Sequence, residues 1–483
     1  MGWEWRENNR DKVVAALRRG EYEAILTSKE GALDALAHVA WELGVLEAVQ
    51  LIQVKREREG IPDELLLRTL AVLPFVEALG LSAAAQTLFE DAAVLLQLGY
   101  TAVQVQDGFN QRHGAQTDAK GEQSRPYHPE VLRHAERLQR IEVPSLDAFR
   151  RECIRGLFQR GLVKGKVYAV DGSGLGEGLR VVGLLNVQRA CPLWLNWRVR
   201  TGNESEKGKE ASVVLEMVDE VRAVGGDTAI EWLLLDGLYA DGPLLARLKY
   251  ERAIDALVRL PEDRRLYEQL LGLLRGEPKA WHEHPDTRYL AGKKQHRLVR
   301  VAGMQDLDDW DSFVVTAQAL AVARPTLSAY AVQSTPIDPA GPVEEWALVA
   351  TAPFATAWQA YTFWRNRWLI ENCGFRELKE GWHLEEALWT FHHPGVAAAR
   401  VAFTLVACNV AQVARTQPGQ RLQARGIRRL RRELNGRFGS VPVIVFAAGA
   451  FAILHIEELV SLLGGPPPQF SFRPAQAQAP PLS

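Results

Sequence analysis

The sequence predicts an α/β core interrupted by a β-rich insertion, with an all-helical region before it and further helices after it. Three observations carry that expectation. Apolar spacing changes from a helical to an extended period near Lys166. Segments then alternate to about Leu260 as strand, strand, strand, helix, strand, helix, strand, the order of a layered α/β arrangement. Short extended segments and loops over 261–345 then separate this alternation from one last strand and a long helix.

Taken in order, 1–160 reads as helical. From Ser28 to about Arg112 apolar residues recur at three- and four-residue spacing, as over Gly31–Leu43, and Gly60-Ile-Pro62 and Gly80-Leu-Ser82 break the pattern into short helices. Gly114–Tyr127 is polar with little periodicity, and Pro144–Phe158 reads as one more helix with Ser145 as its cap. The first part of the core, 161–260, has extended runs at Val167–Val170, Leu179–Val187, Leu193–Val199, Ile230–Leu235 and Ala253–Leu260. Between them Ser205–Val221 is helical, as is Pro243–Tyr250, with proline in its first turn.

The insertion, 261–345, reads as a mostly β subdomain with strands at Leu298–Val301, Phe313–Ala317 and Leu327–Val332 and a loop at Pro336–Pro342. The core resumes over 346–416 with a strand at Trp346–Thr351, a long helix from Thr356 to about Gly381, and an apolar helix at Val396–Arg415. A basic helical region, 417–465, contains the most apolar run, Val441–Ile456, expected as a buried helix or strand pair because Pro442 and His455 leave it short of the roughly 20 residues of a membrane span. The Pro/Gln/Ala-rich end, 466–483, is expected to be disordered.

Bulk properties narrow the classes. A length of 483 residues implies two to four domains, and 47% hydrophobic with 24% charged content is ordinary for a globular protein. With 57 basic against 59 acidic side chains, any polyanion must be held by local patches. Cys153, Cys191, Cys373 and Cys408 lie far apart with no Cys-x-x-Cys pair, against a zinc ribbon or a disulfide framework. The N-terminus lacks a basic-then-apolar signal pattern, so a cytoplasmic location without a membrane partner is expected.

Three carboxylates stand out. Lys166-Val-Tyr-Ala-Val-Asp171 and Trp232-Leu-Leu-Leu-Asp236 are apolar runs that each end at an aspartate, and Glu371 closes Trp364-Arg-Asn-Arg-Trp-Leu-Ile-Glu371. Either aspartate alone is explained as a strand-ending turn residue. Asp241 competes with Asp236, or caps the helix at Pro243. Arg367 precedes Glu371 by one helical turn, and Trp364, Trp368 and Phe375 share roughly its face, so the carboxylate is expected against an aromatic wall. The plainer reading is an intrahelical pair worth a few tenths of a kcal/mol. Glu377 and Glu380 are expected to face solvent. Carboxylates on two buried strands and a helix can together hold two divalent ions, which drive in-line attack on phosphodiesters.

Strand-Asp, strand-Asp, a β-rich insertion and then an aromatic-x-x-Arg-x-x-x-Glu helix resembles the DDE transposases of bacterial insertion sequences, the family-four type with an RNase H-like catalytic core. The likeness spans about Lys166 to His383. The family's helix signature is Tyr-x-x-Arg-x-x-x-Glu with a lysine seven residues on. Trp364 takes the tyrosine place, Arg367 and Glu371 match, position 378 is leucine, and Lys379 comes one step late. Asp236-Gly-Leu-Tyr239 matches the family's Asp-x-x-Tyr turn. The resemblance implies two Mg²⁺ ions, with Mn²⁺ able to substitute, held by Asp171, Asp236 and Glu371. Asp171 would bridge both ions and Arg367 would orient Glu371 or touch phosphate. It also implies double-stranded DNA partners, namely inverted-repeat ends and target DNA, cleavage followed by strand transfer, a homodimer in the DNA complex, and a nucleoid-associated location.

Phosphate contacts are expected from Lys293, Lys294, Arg297 and Arg300 in the insertion and from Arg421, Arg425, Arg428, Arg429, Arg431 and Arg432, with Arg437, near the end. Two apolar helices meeting at Gly80-Leu-Ser82, within Ile61–Leu98, have the outline of a helix-turn-helix unit, though few Lys or Arg lie there. His392-His393 lacks a partner ligand at metal spacing, and Ser173 lacks a Gly-x-Ser-x-Gly elbow. The competing expectations are a relative that binds DNA without catalysis and an RNase H-like nuclease that cuts without joining.

Overall fold

The computed structural model describes residues 7–26, 31–55, 61–76, 88, 91–101, 104–105, 138–175, 178–187, 191–200, 211–290, 293–338, 340–385, 393–416, 426–435 and 442–464. The chain opens with β1 (Glu7–Asn8), α1 (Arg10–Leu17) and β2 (Ala24–Leu26), followed by α2 (Gly31–Glu42), α3 (Val45–Ala48), α4 (Asp63–Val72), α5 (Ala92–Gln97) and α6 (Val143–Gln159). The core then runs β3 (Val167–Gly174), β4 (Arg180–Asn186), β5 (Leu193–Arg200), α7 (Ala211–Gly225), β6 (Trp232–Leu235), α8 (Gly242–Arg252) and β7 (Asp255–Leu260). After it come α9 (Arg265–Arg275), β8 (His282–Leu290), β9 (Lys293–Leu307), α10 (Asp311–Ala319), β10 (Leu327–Asp338) and β11 (Glu344–Ala350). The last elements are α11 (Ala357–Trp364), α12 (Pro394–Thr416), α13 (Ile427–Asn435), β12 (Pro442–Ala447), β13 (Ala450–His455) and α14 (Ile456–Leu462).

One mixed sheet of nine strands, ordered β5-β4-β3-β6-β7-β11-β10-β9-β8, organises the molecule. Within it β3, β6 and β7 are parallel neighbours, and the other pairings are antiparallel. The chain is therefore mixed α/β. The strands of 261–345 extend this same sheet, since β11 pairs with β7 through Ala347↔Leu260 to Ala350↔Leu257. In β4, Val181 to Asn186 are all buried, the signature of a strand covered on both faces. Helices α6, α7 and α12 pack around β5, while α8, α9 and α11 pack on β7, β9 and β10.

A second sheet, β1-β13-β12-β2, joins the beginning of the chain to its end. Val443, Val445 and Ala447 face α1 and α14, and Ile444 and Phe446 face Ala93 and Leu96 of α5. Period-two alternation with both sets apolar explains the run from Pro442 to His455 as a hairpin packed on both faces. Its two-residue turn, Ala448-Gly449, has φ of 49° and 80°, as tight hairpin turns of this twist require.

Several sequence expectations change. Phe313–Ala317 lies in helix α10 instead of a strand: Phe313 and Ala317, four apart, are buried while Val315 between them is exposed. Gly242 gives this helix its seat, because a Cβ there would stand 2.3 Å from Ser312 Oγ. Ser145 does not cap α6; the cap is Glu142, and Ser145 Oγ donates to Glu142 O at 2.6 Å while accepting from Gln53 N at 2.9 Å. The region 1–160, expected to be all-helical, also contains the strands β1 and β2, which pair with β13 and β12 near the end of the chain, and the expected disordered tail, 466–483, lies outside the described residues.

Helix α12 is the one described helix long and apolar enough to cross a membrane, and its apolar window is wholly buried inside the protein. It is a core helix: Arg400 donates to His383 O at 2.6 Å, and Asn409 bonds the backbone of Trp194. The four cysteines are free thiols, three of them buried.

Candidate active site

Strands β3 and β6 run parallel in register from Val167↔Trp232 to Val170↔Leu235. Asp171 and Asp236 are the next residue of each, on strands about 4.8 Å apart: Asp236 follows the end of β6, while Asp171 stays in β3, paired with Gly183 of β4. Val170 and Leu235 are completely buried, which fixes the register up to the point where the two carboxylates emerge. Past Asp236 the chain folds into a 3₁₀ turn, Gly237–Tyr239, in which Tyr239 N–H donates to Asp236 O at 2.9 Å and the Tyr239 ring is buried. Asp241 caps α8 by accepting from Leu244 N at 2.8 Å, the second of the two roles open to it in the sequence.

The third carboxylate arrives on the α11 helix. Thr356 caps it by accepting from Gln359 N at 3.2 Å. Beyond Trp364 the helix tightens to a 3₁₀ turn at Arg365–Arg367 and then widens into π turns at Ile370–Phe375 and Glu377–Gly381. Arg376 N–H bonds Glu371 O and Trp382 N–H bonds Glu377 O, both five residues back. Gly374 makes room for the Trp194 indole, from which a Cβ would lie 2.8 Å away, and Phe375 packs on the same ring with centroids 5.1 Å apart.

Arg367 connects the parts. Its buried guanidinium places Nη1 3.4 Å from Asp171 Oδ2 and Nη2 2.5 Å from Glu371 Oε1, and it lies 5.3 Å from the centroid of the buried Trp364 ring. Asp171 Oδ1 also accepts from Gly172 N at 2.8 Å. Burial pushes the Asp171 carboxyl up to about 6, against the pull of Arg367 and the Gly172 N–H, and the negative charges of Asp236 and Glu371 push it the same way. All three carboxylates thus act within one electrostatic field.

Two neighbours differ from expectation. The aromatic wall around Glu371 does not form: its side chain is 44% exposed, Trp368 is 37% exposed, and Phe375 turns to Trp194. The 3₁₀ and π turns rotate the rings away from the face that a uniform α-helix would give them. Glu377 does not face solvent; it pairs with Arg415 at 2.8 Å, both nearly buried. Lys379 Nζ donates to Gly174 O at 2.8 Å and also pairs with Glu385. Arg180 Nη2 donates to Gly172 O at 3.0 Å, so two basic side chains hold the strand end that follows Asp171.

The basic candidates separate by environment. Arg297 is buried at 1% exposure, with Nε on Ser334 Oγ at 2.7 Å, Nη1 on Gln295 at 2.8 Å and Nη2 2.9 Å from Glu344, so it braces the sheet and is not placed to meet phosphate. Arg300 pairs with Glu283 at 3.1 Å over the Trp281 ring. Lys293 begins β9, followed by the exposed Lys294. On α13, Ile427, Leu430 and Leu434 are buried, Arg431 is half-buried, and Arg428, Arg429 and Arg432 are exposed. Arg428 lies 2.9 Å from His383 Nε2 and Arg429 3.2 Å from Glu433. Arg421, Arg425 and Arg437, His392, and the segment meeting at Gly80-Leu-Ser82 fall outside the described residues.

One cluster escaped the sequence reading. His284, Asp286 and Arg288 share a face of β8 and meet α11. His284 stacks on Trp358 at 4.1 Å, buried Asp286 accepts from Tyr361 Oη at 2.6 Å and pairs with Arg365, and Arg288 lies over Trp346 and Trp368. Thr287, Arg288, Trp364, Arg365, Trp368 and Asn372 line a cavity of about 210 Å³. Little in the sequence signalled it: β8 is polar on both faces and contains Pro285, so no apolar alternation marked it as a strand and nothing local placed it against the helix.

No three His, Cys, Asp or Glu side chains among the described residues converge on one point as metal ligands, and Glu371 is paired with Arg367. The donor set itself suits a hard dication: three carboxylates share a field with a single guanidinium, leaving an excess of negative charge on oxygen ligands. No family model matches the chain, and no curated protein matches it.

Proposed function

We propose that the chain is a metal-dependent DNA nuclease and strand transferase, a DDE transposase with an RNase H-like core. One observation carries this reading: Asp171 and Asp236 stand at matching positions just past the last paired residues, Val170 and Leu235, of neighbouring parallel strands, and Arg367 joins Glu371, 200 residues beyond Asp171 in sequence, to the first of them. A structural ion pair would need only Arg367 and Glu371. A second aspartate on the adjacent strand end is what a phosphodiester-cleaving metal site adds.

Asp171, Asp236 and Glu371 would hold Mg²⁺, or Mn²⁺ in its place. When bound, the ions would activate the attacking oxygen and neutralise the leaving one. The protein's own groups prepare this. Asp171, fixed by Gly172 N and with its carboxyl at about 6, is ionised at neutral pH and presents charge at a set point. Glu371, half out in solvent, would be the ligand able to turn from Arg367 toward the aspartates, which would release Arg367 Nη2 for a phosphate oxygen while Nη1 stays beside Asp171. Exposed Lys294 and the basic face of α13 supply sequence-independent phosphate contacts. The reading carries with it inverted-repeat ends and target DNA as partners, a homodimer to cut both ends, and a DNA-bound location in the cytoplasm.

The test is incubation with Mg²⁺ and DNA carrying the element's ends. Wild type is expected to cut the end and join the freed 3′-hydroxyl to target, while Asp171→Asn and Glu371→Gln bind the same DNA and do neither. End binding without any nicking by wild type would reject the enzyme. Cutting without joining would leave a nuclease of the same core.

A further inference from the structure

We propose that Lys379 is a positioning residue for the carboxylate site, tying the strand end that carries Asp171 to the helix that carries Glu371, and that the π turns bring it within reach. The inference rests on the metal-site reading above and goes beyond it by assigning the spacing of two ligands to a third side chain.

The geometry starts with helix register. A turn closed by a bond from residue i to i+5 takes up more residues than the 3.6 of an α-helix. Residues eight apart across such turns therefore fall on one face two turns apart, as residues seven apart do in an α-helix. Glu371 and Lys379 are separated by eight residues, and the bonds from Arg376 to Glu371 and from Trp382 to Glu377 close the turns between and after them. The register is anchored, because Leu378 is buried, Gly374 fits only against Trp194, and Gly381 abuts Ile427, whose Cγ2 would lie 3.2 Å from a Cβ there.

From that face Lys379 Nζ reaches Gly174 O at 2.8 Å, three residues past Asp171 on the same strand. Arg180 holds Gly172 O at 3.0 Å, one residue past it. The strand end is thus pinned twice, once to its own hairpin partner β4 and once to the helix of Glu371. The second restraint, unlike the first, spans the two elements whose carboxylates must act together, and it adds to the Arg367 contact with Asp171 a backbone anchor three residues further along the strand. Glu385 balances the charge of Lys379, so the lysine is held in place without engaging a catalytic carboxylate.

The experiment measures Mn²⁺ binding to DNA-free protein by calorimetry for wild type, Asp171→Asn, Lys379→Met, Lys379→Gln and Lys379→Arg, together with the salt dependence of DNA binding. Asp171→Asn is expected to abolish the tight Mn²⁺ event. Both Lys379→Met and Lys379→Gln are expected to weaken it about 10-fold, the cost of losing a group that orients a ligand, and Lys379→Arg should recover most of the loss. The slope of log affinity against log salt should stay unchanged in all three. If Lys379→Met and Lys379→Gln bind Mn²⁺ as wild type does, the tether is wrong, and a slope smaller by about 0.9 would instead mark Lys379 as a phosphate contact. If wild type binds Mn²⁺ no better than Asp171→Asn, the metal-site reading itself fails and takes the tether with it.

Discussion

Asp171 sits among negative charges, removed from water, with one guanidinium and one amide opposing them. Its unfolded-state pKa is about 3.9 and its folded one about 6, so the folded state prefers the protonated acid. A group raised in this way stabilises the fold fully below about pH 4 and loses that contribution as pH rises through 6, a loss on the order of 2–3 kcal/mol by neutral pH. In EDTA, Asp171→Asn is therefore expected to melt higher than wild type at pH 7.5, with the gap closing as pH falls to 4. Millimolar Mg²⁺ should narrow the gap at pH 7.5 by stabilising wild type alone. A gap that does not vary with pH would mean that Arg367 fully offsets the burial of Asp171 and that the carboxylate carries no strain. At this scale the sequence was a partial guide. Asp171, Asp236, Arg367 and Glu371 were legible because strand ends and helix spacing show in the pattern. Arg297 misled by its charge, although it shares strand parity with buried Val299 and Val301, which is what turns it inward.

Elements depart from their sequence expectations where a local pattern is settled by a distant partner. Helix α12 was plain from its apolar spacing, yet the reason for an asparagine in its buried face lies in β5. There the pairing slips between Leu184↔Asn196 and Leu185↔Trp194, leaving Leu195 without a partner. Asn409 Oδ1 accepts from Trp194 N at 2.8 Å and its Nδ2 donates to Trp194 O at 2.7 Å, closing the gap with one side chain. Asn409→Ala would orphan two buried backbone groups at about 1–3 kcal/mol each, so a loss of roughly 2–5 kcal/mol in urea unfolding is expected. A loss under about 1 kcal/mol would show that water or a shifted strand replaces the amide. The π turns were illegible for a related reason: propensity does not distinguish i+5 from i+4 closure. Helix α10 was misread because Val314-Val315 favours a strand locally, while the burial of Phe313 and Ala317 against α8 decides for a helix.

Across the whole molecule, long-range pairing creates what no window of sequence contains. The first and last described strands share a sheet, and the insertion's strands lengthen the core sheet until β8 lies against the helix of Glu371. Helix α13 belongs to the same assembly: its apolar side packs on α2 and on the π turn at Glu377–Gly381, so its basic side is rigidly related to the carboxylates. With a net charge of −2, the chain has no general attraction for a polyanion, and the DNA binding proposed above would have to come from such patches. Replacing Arg428, Arg429 and Arg432 together by alanine is expected to weaken DNA binding at low salt and to flatten the salt dependence by up to about 0.9 for each phosphate no longer neutralised. Because these side chains are exposed, unfolding should change little, by about 0.5 kcal/mol or less per site. Mn²⁺ binding should be unaffected, since none of the three touches the carboxylates. A triple variant with an unaltered slope would move the DNA path elsewhere, with Lys294 and the β9 edge the next surface to neutralise, while leaving the carboxylate site standing.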